Sequence, residues 1–481
     1  MKRLLLSATA LAVLAGPVSA LTADELWADW QETISKFGGG LEASPERDGD
    51  RLILRDMRQT TTIGGIVGTT TYGDAITLVE QSDGSVRIEM PARLEMTSAS
   101  EVDGQTTEQT IVVIQEGLDA VARDEGDARV YDYNVERLEY VFDDLSGGEA
   151  DPAVPMTMTM TGLRSASTYA DDGAFDGTVA GDLSVKVGGE GLPLDMDYAL
   201  SAVTGEVSGT IPSDLPDDGT FDPFELGLEY EMELAHGGSE MTADITDPTG
   251  TGRIQSTSDS GTLTFALADG AIRYGGSGTN IAGGGQIPAF PVPVSVSLAE
   301  SVFDLRVPLQ KSDTPSDYAL TVTTEDLVID EALWGLFDPT GQLPRDPADL
   351  AIELSGQALV TANVFNPAEI SAVAASPLQP RSLDLSRLLL SVAGAELRGQ
   401  GALTFAEGPV PLPQGEMTIE LDGGFGLLDK LVALGFVPPQ QVAIVRGMAG
   451  AVTEQVGDDQ LRSVLTFGPA GVTANGLPLP F

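Results

Sequence analysis

The chain has 481 residues, and 73 acidic against 25 basic side chains give it a formal net charge of −48. It has no cysteine and one histidine, His236, which excludes thiolate zinc sites, iron–sulfur clusters, cysteine nucleophiles and any multi-histidine metal site within one chain. The charge balance disfavours nucleic acid and anionic lipid surfaces as partners, whereas 42% hydrophobic against 20% charged residues supplies material for a core.

In chain order, residues 1–20 read as a cleaved signal peptide. Lys2 and Arg3 precede a short apolar run, Gly16 and Pro17 break it, and Val18-Ser19-Ala20 offers small residues for cleavage. The run is too short for a transmembrane anchor, and no later stretch reaches the length of a spanning helix. The expectation is a protein exported to the periplasm, with secretion as the alternative, and a mature chain of 21–481.

Residues 21–40 form an N-terminal helix. Thr22 and Glu25 make a capping box, Leu26, Trp27, Trp30, Ile34 and Phe37 share one face, and Gly38 ends the run. That face lacks the basic flank of a membrane-surface helix, so it is expected to pack on a core. A long antiparallel β region over 41–285 follows. "DAITLVEQSDGSVRIEM" reads as two strands about the turn Ser82-Asp83-Gly84, with Ile76 and Leu78 alternating before it and Ile88 and Met90 after it. "EQTIVVIQE", "ARVYDYNVERLEYVF", "MTMTMTG" and the segments to residue 285 keep the same period of two, with Thr, Ser, Asp and Glu on the wet side. Glycine, at 56 residues, falls between these runs as turns require.

"GGSGTNIAGGGQIPAFPVPV" reads as a loop and a soft boundary. Beyond it, a second β region spans 286–481, continuous with the first or separate from it. Asp330 caps a short helix that turns Leu333, Trp334 and Phe337 inward. Further strands precede two C-terminal helices. The first covers 426–433, and Pro438-Pro439 starts the second, which aligns Val442, Val445, Met448 and Val452. The pair is expected to cover the sheet, and "VTANGLPL" closes the chain as a hairpin.

Few residues suggest chemistry. "FDPTGQLPRDPADL" gathers Asp338, Asp346, Asp349 and Arg345, a conceivable acid–base set. Asp338-Pro339-Thr340-Gly341 is also good turn chemistry, and Pro344 and Pro347 impose extended geometry, so the segment is read as a connector. His236 lacks a serine on a G-x-S-x-G elbow and is read as a surface or turn histidine. The acidic stretch with Asp214, Asp217, Asp218, Asp222 and Glu225 departs from the EF-hand pattern; Asp217, Asp218 and Asp222 are its best calcium candidates. No catalytic residue and no cofactor is expected.

"LWGLFDPTGQLPRDPADLAIELSG", "AGAELRGQGALTF", "PLPQGEMTIELDG" and "GVTANGLPLP" together resemble an exported family of Gram-negative bacteria known only as domain of unknown function 2125. The resemblance covers most of the mature chain, implies an exported protein and carries no activity or functional residues. A looser similarity, resting on the closing strand–turn–"NG" pattern, is to envelope proteins whose long sheets curl into lipid grooves.

These readings converge on a mainly β fold. A long antiparallel meander forms a curved sheet or open barrel, with an N-terminal helix and a C-terminal helical pair. The expected function is non-enzymatic, either binding a hydrophobic or amphipathic ligand such as a lipid in a β-groove or supporting the envelope. The alternatives are a structural or protein-interaction module with a filled core and an envelope-protein partner, and a carboxylate-dependent hydrolase using Asp338 and Asp346.

Overall fold

The computed structural model describes residues 20–36, 38–63, 66–102, 105–143, 154–189, 191–212, 222–248, 250–286, 292–373, 376–408 and 411–479. The expected cleavage segment, apart from Ala20, and Phe37 lie outside the described residues. The fold is mainly β, with strands over 65% of the chain in one large antiparallel sheet that does not close into a barrel.

Helix α1 (Ala23–Lys36) starts as its capping box dictates. The Glu25 N–H donates to Thr22 Oγ1 at 3.2 Å and the Thr22 N–H donates to Glu25 Oε2 at 2.9 Å, so two otherwise orphaned donors are met. Leu26 and Trp27 are buried, while Trp30 and Ile34 pack at the edge of the same core. Strands β1 (Gly40–Asp48), β2 (Arg51–Ile63), β3 (Ile66–Tyr72), β4 (Ile76–Glu80), β5 (Val86–Glu89), β6 (Arg93–Val102), β7 (Gln105–Glu116), β8 (Asp119–Glu125) and β9 (Ala128–Phe142) build the sheet beneath it. Leu78 pairs with Ile88 across the expected turn, where Gly84 takes φ 86°. The sheet divides at β2. One branch runs β4–β5–β8, the other β3–β6–β7, and both rejoin along the 15 residues of β9. Leu52, Leu54, Ile76, Leu78, Val86 and Ala122 fill the space under α1.

Beyond this head the strands are long: β10 (Met156–Ala170), β11 (Ala174–Gly188) and β12 (Leu194–Thr210) have 15 to 17 residues each, or about 50 Å at the usual rise. The sheet divides again at β12. Its C-terminal half pairs with β13 (Glu229–His236), its N-terminal half with β14 (Gly238–Asp247). Strands β15 (Gly250–Ser258) and β16 (Ser260–Ala268) extend the two branches, and β17 (Ala271–Gln286) reunites them. The glycine-rich run expected as a loop is therefore mostly strand: Gly275–Gln286 lies inside β17, and residues 287–291 of that stretch lie outside the described residues. The reason is steric. A Cβ at Gly276 would sit 2.9 Å from Thr262 O, and one at Gly284 would sit 2.6 Å from Val294 O, so bare backbone suits a strand clasped closely on both sides.

Strand β17 pairs with β18 (Val294–Pro308), and the meander continues through β19 (Ser316–Ile329), α2 (Glu331–Phe337), β20 (Ala348–Val360), α3 (Pro367–Ala372), β21 (Leu378–Val392), β22 (Ala395–Phe405) and β23 (Pro413–Asp422). Asp330 caps α2 by accepting the Leu333 N–H at 2.8 Å. Helix α3 was not foreseen: it has six residues, buries none, and is held by Asn366, which accepts from Ala368 and Glu369. Helices α4 (Gly424–Ala433) and α5 (Pro439–Val452) precede β24 (Glu454–Gly457), β25 (Gln460–Gly468), β26 (Gly471–Ala474) and β27 (Leu477–Pro478). The expected hairpin closes at Asn475-Gly476, both at positive φ. The expected role of the helical pair is not met by its second member. Of α5, only Val442 is buried.

Candidate functional site

Because side chains alternate along a strand, the register carries one face across the whole sheet. Tyr131 and Tyr133 of β9 lie opposite Ser167 and Ser165 of β10, Tyr169 lies opposite Phe175 of β11, and Phe175 lies opposite Gly209 of β12. Gly209 pairs with Tyr230, Phe265 with Met232 and Tyr274, Tyr274 with Leu305, Leu305 with Leu320, and Leu320 with Leu354. This face is apolar from the head to β25. The opposite face is hydroxylic and acidic, as Asp176, Thr178, Asp182, Ser184, Glu206 and Glu233 show.

The apolar face is not covered. Between residues 156 and 308, the only buried hydrophobic side chains among the described residues, apart from Pro223 and Pro308, are Ala243 and Ala271. Its larger side chains are half-buried against one another, and Tyr169, Tyr274 and Phe303 are exposed. A face of about fourteen strand positions at the usual spacing runs on the order of 60 Å. An aromatic stripe follows it. Ring centroids are separated by 5.8 Å for Tyr131–Tyr169, 6.1 Å for Tyr169–Phe175, 6.2 Å for Phe175–Tyr230 and 6.0 Å for Tyr230–Phe265, with Tyr274–Phe303 adding another pair at 6.0 Å. Gly209 makes the third contact possible, since a Cβ there would stand 2.9 Å from the Phe175 ring.

The stripe begins in a cavity of about 780 Å³ between α1 and the ends of β9–β12. Leu41, Met57 and Ile76 line its apolar side, with Trp30, Tyr72 and Tyr133 among its walls. Its polar groups engage one another. Trp30 Nε1 donates to Tyr131 Oη at 3.3 Å, and Tyr131 donates to Asp29 Oδ2 at 3.2 Å. Arg129 bridges Asp29 at 3.1 Å and Asp124 at 2.5 Å. Burial pushes the Tyr133 phenol up to about 12, with Tyr169 adding to the shift. It pushes Tyr131 up further, helped by the Asp29 charge and opposed by the Trp30 hydrogen bond and Arg129. Such walls can bury an acyl chain or an apolar ring; the polar rim can meet a headgroup. The sheet's other face carries a hollow of about 510 Å³ lined by charged and hydroxyl groups that include Asp132, Thr178, Glu206 and Glu233.

The residues singled out from sequence are distributed differently. Asp338 is buried and folds back on its own loop, accepting the N–H of Gln342 at 2.9 Å and of Leu343 at 2.7 Å. Desolvation raises its pKa, but those two amides, the Thr340 hydroxyl and Arg345 outweigh it and hold the carboxyl below its usual range. Asp349 accepts the Asp326 N–H at 2.9 Å, Asp346 is exposed, and Arg345 pairs with Glu331 while lying 5.2 Å from the Trp334 ring centroid. The segment turns the chain. His236 ends β13, and its ring lies on the apolar face against Gly261 with Nδ1 buried and unpartnered. Asp222 is buried, with its carboxylate accepting from the Phe224 and Glu225 amides and from Asn363 Nδ2. Asp214, Asp217 and Asp218 lie outside the described residues. Among the described residues, no three His, Asp or Glu side chains gather as a metal site would need.

The aromatic stripe was missed from sequence. Its period-two signal was visible, but single rings on seven strands meet only through long-range register.

A family model described as an uncharacterized protein conserved in bacteria (DUF2125) matches residues 220–480. That span holds all four quoted sequence motifs and begins after the head cavity. No curated protein and no solved structure matches the chain.

Proposed function

The chain belongs to this family of uncharacterized bacterial proteins, and from its geometry we propose that it is a non-enzymatic, exported periplasmic protein that holds a hydrophobic or amphipathic ligand along its apolar face. One observation carries the reading: the near absence of buried apolar side chains between residues 156 and 308. Apolar surface left in water forgoes about 25 cal/mol per Å², and a protein of net charge −48 has ample polar residues with which to paint a face that served no purpose. An open apolar face far larger than that of an ordinary soluble protein marks a binding surface. The head cavity supports the same reading by giving an amphiphile a polar rim at one end and an aromatic stripe leading away from it. Export is supported by the basic, apolar and small-residue order of residues 1–20.

The test is organic extraction of protein purified from the envelope fraction, analysed by mass spectrometry, with binding of a fluorescent fatty acid by the extracted protein. Stoichiometric lipid and a saturable probe site are expected. Protein that arrives empty and ignores the probe would refute the proposal.

A further inference from the structure

Helix α5 and the turn before it break the pattern of the surface around them. Phe436 is 53% exposed, Ile444 60% and Met448 59%, and Val445 is exposed beside them. A helix apolar on nearly every side belongs in a core or in lipid, yet this one buries only Val442. Charge changes here too. Residues 424–453 hold one of the chain's 73 acidic residues, Asp429, against Lys430 and Arg446, a local balance of +1 in a chain of −48. Arg446 is drawn aside, 2.7 Å from Asp429 and 5.0 Å from the centroid of the Phe425 ring. The outward side of α5 is thus both greasy and uncharged.

We propose that the α4–α5 hairpin is a membrane-docking element: the Phe436 turn and the Ile444–Met448 side of α5 enter the headgroup–acyl boundary of a lipid bilayer. Electrostatics selects the place, because the acidic surface elsewhere is repelled by anionic headgroups while this patch is not. Size argues against a second copy of the chain. Fourteen residues span about 21 Å, and a face about 10 Å wide gives roughly 200 Å², a quarter of the ~800 Å² per partner that a stable interface buries. The inference stands on α5 and does not require the apolar face of the sheet to carry a ligand. If both hold, docking would bring that face to the lipid it draws from.

The experiment is flotation of the full mature chain with phosphatidylcholine vesicles, comparing wild type with Ile444→Asp/Met448→Asp. Wild type is expected to float, and the variant to partition at least tenfold less. Both side chains are largely exposed, so circular dichroism should be unchanged; should the aspartates disturb folding, Ile444→Ser/Met448→Ser replaces them. Wild type that stays with the soluble fraction overturns the proposal, as does a folded variant that floats equally well. A wild-type dimer in light scattering, lost in the variant and unaccompanied by flotation, overturns it in favour of self-association. Extracted lipid is measured in both proteins. Binding of a fluorescent fatty acid from solution needs no docking, so a variant that loses flotation and that binding together shows that vesicles were engaged through the sheet, which also overturns it. Flotation by a protein that holds no extractable lipid keeps the docking site and removes the ligand reading.

Discussion

Removing the Tyr274–Phe303 pair separates an open apolar face from a filled core. In a close-packed interior, Phe→Ala costs about 3–5 kcal/mol. Phe303 is 37% exposed and Tyr274 49% exposed, so only half to two thirds of that burial is at stake. Phe303→Ala should then cost about 2 kcal/mol and Tyr274→Ala slightly less. Each estimate includes the shared ring contact at 6.0 Å, so the double variant should cost less than their sum, by about 0.5–1.5 kcal/mol. Leu54→Ala is the control. Leu54 is fully buried under α1, and its truncation should cost about 3–5 kcal/mol. Urea unfolding followed by tryptophan fluorescence measures the four variants against wild type. A fatty-acid ligand should raise the wild-type midpoint and have a smaller effect on the Tyr274→Ala/Phe303→Ala variant. A Phe303→Ala cost of 4 kcal/mol or more would mean that protein covers the ring in solution, and the open-face argument would fail.

Thr22→Ala removes the α1 capping box and should destabilise the head by about 1 kcal/mol, measurable as a lower urea midpoint. Hydrogen bonding from Thr22 holds the Glu25 carboxyl below its usual 4.5, so the cap's contribution should be present above that pH and fade as pH falls below it. Tyr133 gives the opposite alkaline signature. Its folded pKa is about 12 against an ordinary 10.0, so the folded state keeps a proton the unfolded state releases. Stability should be unaffected below pH 10 and fall between pH 10 and 12. Tyr133→Phe should flatten that fall, with tyrosinate absorbance at 295 nm as the readout. Asp338→Ala leaves the Gln342 and Leu343 amides without their acceptor and should lower the melting temperature while leaving fatty-acid binding intact. Loss of a measurable activity at unchanged melting temperature would instead revive the catalytic reading of that loop.

Much of the fold was legible because it is written in short-range chemistry. Thr22 and Glu25 cap a helix three residues apart, Asp330 reaches Leu333, Asp338 reaches Gln342 and Leu343, and Asn475-Gly476 turns a hairpin. Each needs only neighbours in the chain. The alternation of polar and apolar residues is equally local, and by itself it determined a two-faced antiparallel sheet. The glycine run of β17 misled for the same reason: composition alone cannot see the strands that clasp it. Nor could the helical spacing of Val442, Val445 and Met448 say whether anything would cover them. Burial depends on what lies opposite, and register on partners up to 52 residues away, as for Gly415 and Phe467. Only the tertiary structure therefore decided that the sheet divides and rejoins twice, that scattered rings form one stripe, and that the apolar face stays open while α5 faces outward. An alternating sequence sets which side of a strand is greasy; long-range packing decides whether that side meets protein.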